Sequence, residues 1–321
     1  MFMRVFVTGG TGKLGKMLVL KLQKLGHEVR MLVRRYEKTY VPKGCISISG
    51  DLSNISSLEV GVKGSDVVLH LAGLVDYSAS WEELYDVNVQ GTKNLIEVCS
   101  KYPIKRFVHI SSTAVYGKNP LETPTTEKTP TRPTDNYGKS KLESERVIGE
   151  YFGVVPSVIL RPSVIYGPTY LQIYSRVLKL LETGDMFVIG NGNNVIPFVH
   201  ESDVCNAIIK SITGKSAEGS IYNISENTTK TQIEIYKIAC AALGVNFKKK
   251  QINEFLAKSF IYLSSLLKKS GLGPEDIDVL SSHRVINSTK IEKELEWIPK
   301  IKIEDGISEI VNLYLESKSR R

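Results

Sequence analysis

Cysteine is scarce: four residues in a chain of 321, Cys45, Cys99, Cys205 and Cys240, scattered with no Cys-x-x-Cys pair. That excludes a disulfide-stapled scaffold and argues against a metal site, so free thiols in a reducing cytoplasm are expected. Long apolar runs are missing too. No segment approaches the roughly 20 apolar residues that cross a bilayer. The apolar run beginning at residue 5 reads as a strand with no small-residue cleavage pattern after it, so a signal peptide is not expected. Internal repeats and low-complexity linkers are absent. Positive charge is in modest excess, net +8, but the basic runs (Arg34-Arg35, Lys248 to Lys250, Arg320-Arg321) are short and carry no interleaved aromatics. Nucleic acid is therefore not an expected partner, whereas an anionic cofactor or small-molecule substrate suits such a surface.

What the chain does have is glycine at its start. Thr8 to Gly15 reads TGGTGKLG, four glycines in eight residues directly after an apolar run. Glycine lets a backbone turn tightly and approach a phosphate. A triphosphate loop needs GxxxxGK followed by Ser or Thr; here Leu14 follows Gly12-Lys13, and Val7 stands where the first glycine should. The alternative is a strand, glycines at 9, 12 and 15, then a helix whose free N–H groups meet a dinucleotide pyrophosphate. Strand-like runs recur at 27–34, 45–50, 66–73, 106–112 and 155–163, with helical stretches at 82–101 and 135–152. Little polar alternation within the runs means strands buried on both faces. The pattern predicts an α/β fold, a Rossmann-type doubly wound parallel sheet with a smaller C-terminal substrate-binding lobe. Residues 1–165 are expected to form the dinucleotide domain and 166–321 mainly the lobe, with segments around 196–224 returning to the main domain.

The TGxxGxxG spacing resembles the extended branch of the short-chain dehydrogenase/reductase superfamily, the NAD-dependent epimerase/dehydratase family. Further stretches carry the resemblance in order: GDL at Asp51, HLAG (70–73), NVQGT (88–92), ISSTAVYG (110–117), YGKSK (137–141), LRPSVIYGP (160–168), FVHESDV (198–204) and LEWIPK (295–300). The resemblance implies that Tyr137 and Lys141 are catalytic, with Ser112 (Thr113 as the fallback) as the assisting hydroxyl and Asn88 in a structural and proton-relay role. It implies a cofactor site of Thr8, Gly9, Gly12, Lys13, Leu14, Gly15, Arg34, Asp51, Leu52, Leu71, Ala72, Gly73, Tyr137, Lys141 and Pro162, and no metal. Pro162, Tyr166 and Tyr170 are expected beside the substrate, and a homodimer through the helices at 82–101 and 135–152.

Tyr137 and Lys141 are four apart in a helical stretch and so share a face. A tyrosine base at pH 7 needs its pKa lowered by about three units, roughly 4 kcal/mol, which nearby positive charge can supply. In NAD-binding folds an acid usually ends the second strand. Here HEVRMLVRR ends in Arg34 and Arg35, favouring NADP over NAD. Thr113-Ala114 stand where sugar dehydratases carry an Asp-Glu pair. Val164 and Ile196-Pro197 replace the Asn and Arg with which epimerases hold a nucleotide diphosphate. The RPSVIYGP form instead resembles the subgroup around dihydroflavonol 4-reductase and 3β-hydroxysteroid dehydrogenase, whose substrates are bulkier and less charged. An NAD(P)-dependent oxidoreductase of a secondary alcohol or ketone is the first reading. A nucleotide-sugar 4-epimerase with tightly bound NAD is the second, and a catalytically quiet cofactor-binding regulator the third. The stripe Phe255, Leu256, Phe260, Leu263 and Leu267 predicts a helix used as core or lid, with a membrane-surface helix as the alternative. His70, His109 and His200 are read as structural.

Overall fold

The computed structural model describes residues 2–34, 41–227, 229–257, 259 and 274–319. Seven parallel strands form one sheet in the order β3-β2-β1-β4-β5-β6-β10. They are β1 (Arg4–Thr8), β2 (Glu28–Val33), β3 (Ile46–Ser49), β4 (Val67–His70), β5 (Arg106–Ile110), β6 (Ser157–Pro162) and β10 (Ser220–Ile224). The strand order reverses beside β1, so a crevice opens at the carboxyl ends of β1 and β4. Both strands end there in register, Thr8 beside His70.

Both faces of the sheet are dry because alternate residues feed two separate cores. Val5, Val7, Val67, Leu69, Val108 and Leu160 pack under α1 (Lys13–Lys24) and α7 (Glu201–Thr213). Phe6, Val68, Phe107 and Ile159 pack on the opposite face, under α2 (Ile55–Val62), α4 (Gly91–Cys99) and α5 (Asn136–Gly149). This double burial accounts for the unbroken apolar runs.

One stretch departs from expectation. Residues 82–101, read as a single helix, comprise α3 (Trp81–Leu84), a π-turn (Tyr85–Gln90) and then α4. A π-turn inserts an extra residue into the helical ladder, and such turns concentrate at functional sites. Here it carries Asn88, whose side chain is fastened on both edges as described below.

After β6 the chain builds the lobe. Two small parallel sheets, β7 (Val164–Tyr166) with β9 (Phe198–His200) and β8 (Phe187–Ile189) with β11 (Lys250–Ile252), join α6 (Leu171–Thr183), α8 (Gln232–Leu243) and the helix Ile303–Ser319. Leu178, Leu181, Tyr236, Ile307, Ile310 and Val311 form its core. The segment LEWIPK latches the last part of the chain to α7, which packs on the main sheet. Trp297 is buried and its indole N–H donates to the Asp203 carbonyl at 2.9 Å. The Asp203 carboxylate in turn accepts the Lys300 and Ile301 amides, both at 3.0 Å. Among the described residues no helix is long and apolar enough to cross a membrane.

Gly61 on α2 lets Phe6 reach the helix: a Cβ there would stand 2.2 Å from the ring. Phe6 is fully buried and cannot withdraw. Gly61→Ala is expected to lower stability by about 1–3 kcal/mol through overpacking, measured by urea unfolding.

Candidate active site

The turn after β1 is built around two close approaches. Gly9 has φ +74°, and a Cβ on it would lie 2.5 Å from the Ala72 nitrogen. A Cβ on Gly15 would lie 2.1 Å from the Gly9 carbonyl oxygen, so α1 starts directly against the turn. The helix begins after Gly12 with no side-chain cap and no acidic residue in its first turn. Its first N–H groups and the positive end of its dipole are left for an anion. This cradle fits a dinucleotide pyrophosphate.

Beneath the turn runs a chain of buried hydrogen bonds with one consistent direction. Thr92 Oγ1 donates to the Asn88 carbonyl at 2.6 Å. It therefore accepts from His70 Nε2, 2.8 Å away. His70 Nδ1 is left to accept the Thr8 hydroxyl at 2.7 Å. Burial and then the charge of Lys141 hold His70 down to about 3, so it stays neutral. His109 lies 5.1 Å from His70, ring to ring, and burial also holds it well below the usual histidine range. Both histidines are parts of the frame and offer no acid–base group near neutral pH.

The Asn88 amide closes the next link. Its Oδ1 accepts the Leu74 N–H at 2.7 Å, and its Nδ2 donates to the Leu74 carbonyl at 3.0 Å and to Ser140 Oγ at 2.9 Å. Ser140 donates in turn to the Tyr137 carbonyl at 2.8 Å. The loop after β4, the π-turn and the first turn of α5 are thus held as one unit. Asp135 caps α5 by accepting the Gly138 N–H at 2.7 Å.

Tyr137 and Lys141 lie one turn apart on α5, and both are buried. Ser112 Oγ accepts the Ala114 N–H at 3.1 Å and lies near enough to the Tyr137 hydroxyl to exert a lowering effect on its pKa. Ser111 points elsewhere, donating to Glu145 in the interior. Tyr77 stacks at 5.0 Å from the Tyr137 ring, and Tyr170 acts electrostatically on the same hydroxyl. Lys13 sits 5.9 Å over the Tyr170 ring, so Tyr170 lies beside the start of α1. Burial pushes the Tyr137 hydroxyl up, further raised by Tyr77, and the effect of Ser112 only partly opposes this. Burial pulls Lys141 down to about 8, against the pull of Glu145. The lowering of the tyrosine expected from Lys141 does not emerge from the protein alone, because both groups are desolvated together.

The remaining expected residues divide. Lys13 is exposed at the helix start, and Ala72 and Gly73 line the crevice behind the turn. A Cβ on Gly73 would stand 3.9 Å from Lys141 Nζ, which places that loop against the Lys141 side chain. Arg34 is exposed at the end of β2. Asp51, at the end of β3, is held below the usual carboxylate range by hydrogen bonds from Ser53, with Arg34 adding to the effect. Leu71 donates its N–H to the Thr8 carbonyl at 3.1 Å and is half-buried. Pro162 is buried at the carboxyl end of β6. Arg35 and the stripe residues Phe260, Leu263 and Leu267 lie outside the described residues; Phe255 and Leu256 are exposed.

Three expectations need correction. Thr8 is fully buried with its hydroxyl on His70, so it braces the turn and does not face a ligand. Leu14 and Leu52 send their side chains into the two cores, leaving only backbone for the crevice. Tyr166 does not border the site. It is 2% exposed, lies edge-on to Phe198 and His200, and fills the lobe core against Gly306. Among the described residues no group of three His, Cys, Asp or Glu side chains is placed to hold a metal ion.

Comparison with known proteins agrees with this geometry. The profile of the NAD dependent epimerase/dehydratase family matches residues 5–225. A 4-hydroxy-2-methyl-3-oxo-4-farnesyl-3,4-dihydroquinoline-1-oxide ketoreductase of Stigmatella aurantiaca is 24% identical over 318 residues, 95% of each chain. Short-chain dehydrogenase/reductase family 42E member 1 of Homo sapiens is 27% identical over 290 residues, 82% of this chain and 73% of that protein. In structure, UDP-glucose 4-epimerase of Thermotoga maritima superposes with a TM-score of 0.80 at 21% identity, over 98% of this chain and all of that one.

Lys141 is held charged in the interior at a cost to stability. Its folded pKa of about 8 lies below the unfolded value of 10.5, so the folded state binds fewer protons between those two pH values, and stability rises with pH there. Lys141→Met is expected to unfold at higher temperature than wild type at pH 7, by an equivalent of roughly 3 kcal/mol. The gain should shrink as pH climbs from about 8 toward 10.5, and calorimetry across that window checks it.

Proposed function

The chain belongs to the NAD dependent epimerase/dehydratase family, and from that premise we propose that it is an NADP-preferring oxidoreductase that interconverts a secondary alcohol and a ketone. The observation that carries this reading is the burial of Tyr137 and Lys141 one turn apart on α5, with Ser112 acting on the tyrosine hydroxyl, beside an uncapped glycine-turn helix. A nicotinamide dinucleotide held in that cradle would supply the hydride exchange and, in its oxidised form, positive charge.

The chain's own residues do the rest. Tyr137 Oη exchanges a proton with the substrate oxygen, and Ser112 Oγ hydrogen-bonds the same oxygen to orient it. Lys141, protonated over most of the range below about 8, favours the tyrosinate electrostatically. Asn88 holds the first turn of α5 through Ser140, so the tyrosine keeps its place while its proton moves. Tyr77 covers the Tyr137 ring and limits access of water.

Arg34 supports the cofactor preference: it is exposed where an NAD enzyme would place an acid, and an anionic 2′-phosphate finds a cation there. The similarity to a ketoreductase along nearly the full chain agrees with reduction or oxidation of a free substrate. Val164 and Ile196-Pro197, in place of an Asn and an Arg, weigh against an epimerase that grips a nucleotide diphosphate.

The protein purified without added cofactor should release little dinucleotide on denaturation, by mass spectrometry, and should bind NADPH more tightly than NADH. Near-stoichiometric NAD in that assay overturns the oxidoreductase reading in favour of an epimerase. Arg34→Asp should move the binding ratio toward NADH; an unchanged ratio removes Arg34 from the site. With a substrate found from a panel of bulky ketones, Tyr137→Phe should lower kcat by about 10²–10⁴ while NADPH affinity stays within a few-fold.

A further inference from the structure

Two buried arginines flank α5, and they are treated in opposite ways. Arg161 is saturated. It donates Nε and Nη2 to the two oxygens of Glu145 at 2.9 and 2.6 Å, and Nη1 to the Tyr116 hydroxyl at 2.7 Å. Arg284 is 7% exposed, and its guanidinium makes no hydrogen bond and no ion pair among the described residues; its Nε is sealed without a partner. The groups that act on its charge are the Tyr77 hydroxyl and the Asp135 carboxylate. Tyr77 covers Tyr137, and Asp135 caps the helix that carries it. Ile286, two residues on, packs with Val115 and Tyr116 in the turn that follows Ser112, so this segment lies beside the substrate end of the site, away from the glycine turn. Its backbone is fixed: the Arg284 N–H donates to the Val195 carbonyl at 3.0 Å, and the Thr125 N–H donates to the neighbouring Val285 carbonyl at 2.7 Å.

A buried, unpaired charge is costly and persists where something else compensates for it. The Asp135 carboxylate does not, since it is beyond ion-pair distance and is used on the Gly138 N–H. Arg106, the other buried arginine with unpartnered nitrogens, still donates to the Gly214 carbonyl at 3.0 Å, and it stands at the opposite, amino-terminal end of β5. A guanidinium presents a flat fork of donors that matches two oxygens of a carboxylate or phosphate.

We propose that Arg284 anchors an oxyanion group, a carboxylate or a phosphate, carried by the substrate whose alcohol or ketone faces Tyr137. The proposal rests on the reading of Tyr137 as the reacting centre and narrows its substrate class, from a bulky neutral alcohol or ketone to one with an anionic substituent near the reacting carbon.

The test uses the full-length protein saturated with NADP, so that the pyrophosphate cradle is filled. Benzoate and inorganic phosphate are titrated separately by calorimetry into wild type, Arg284→Gln and Arg284→Lys. At least one anion should bind wild type, weaken at least 10-fold in Arg284→Gln, and be partly restored in Arg284→Lys. Which of the two binds distinguishes a carboxylate from a phosphate substrate. Equal binding to wild type and Arg284→Gln, or no binding of either anion, overturns the proposal. Arg284→Met adds a folding control: with no anion present it should melt at or above the wild-type temperature, whereas a clear fall in Tm would make Arg284 a structural residue. If wild type binds neither NADP nor NAD, the oxidoreductase reading fails by itself; the anion titration on the cofactor-free protein, compared with Arg284→Gln, still decides the anchor.

Discussion

A single line of buried hydrogen bonds sets the geometry on which the rest depends. It runs from Thr8 through His70 and Thr92 to the Asn88 backbone, and from the Asn88 amide through Ser140 to the first turn of α5. Each donor has one acceptor, so the line has one direction and His70 has one tautomer. It joins the end of β1, the end of β4, the π-turn and the tyrosine helix. The glycine turn and Tyr137 belong to different elements, and this line holds them at a fixed separation. Such networks specify a unique arrangement because breaking any member strands its neighbours without partners in a low-dielectric interior.

Around that frame the protein treats buried charge in two ways. At one interior cluster charge is fully paired: Glu145 accepts from Arg161 and Ser111, and Tyr116 completes the cluster with Asn223 at 2.8 Å. Where chemistry is expected, charge is left exposed to whatever enters. Lys141 is drawn down to about 8 and Tyr137 is pushed up, each by desolvation, and the Arg284 guanidinium makes no hydrogen bond or ion pair among the described residues. The same low dielectric that makes these groups costly makes their interaction with a bound ion strong. These desolvated groups cost stability, as is common where a protein binds a ligand or does chemistry.

The expectation that Lys141 would lower the Tyr137 pKa illustrates how far residue spacing reaches. Spacing of four in a helix placed both groups on one face, and the structure has them there. It carried no information on how deeply that face is buried. Burial acts on the two groups in opposite senses and leaves the tyrosine protonated until further positive charge arrives. The LEWIPK segment shows the complementary case: a motif that reads like part of a functional signature serves to latch Trp297 and residues 300–301 onto Asp203.

What the sequence determined by itself was what local pattern and chain order decide. The unbroken apolar runs implied strands covered on both faces, and their alternation with helices implied a parallel sheet; both are properties of short segments. The glycines at 9, 12 and 15 implied a turn under a helix, because only a missing side chain permits the approach now seen at Ala72 and Gly9. Tertiary structure alone decided which polar side chains face the crevice. Thr8, Leu14 and Tyr166 sit in or beside motifs that suggest ligand contact, yet all three are turned into the interior. Tyr77 and Arg284, 207 positions apart in the chain, come near enough for one to act on the charge of the other. No periodicity marks such a meeting: it follows from long-range packing, and whether an arginine is left without a carboxylate depends on every element that surrounds it.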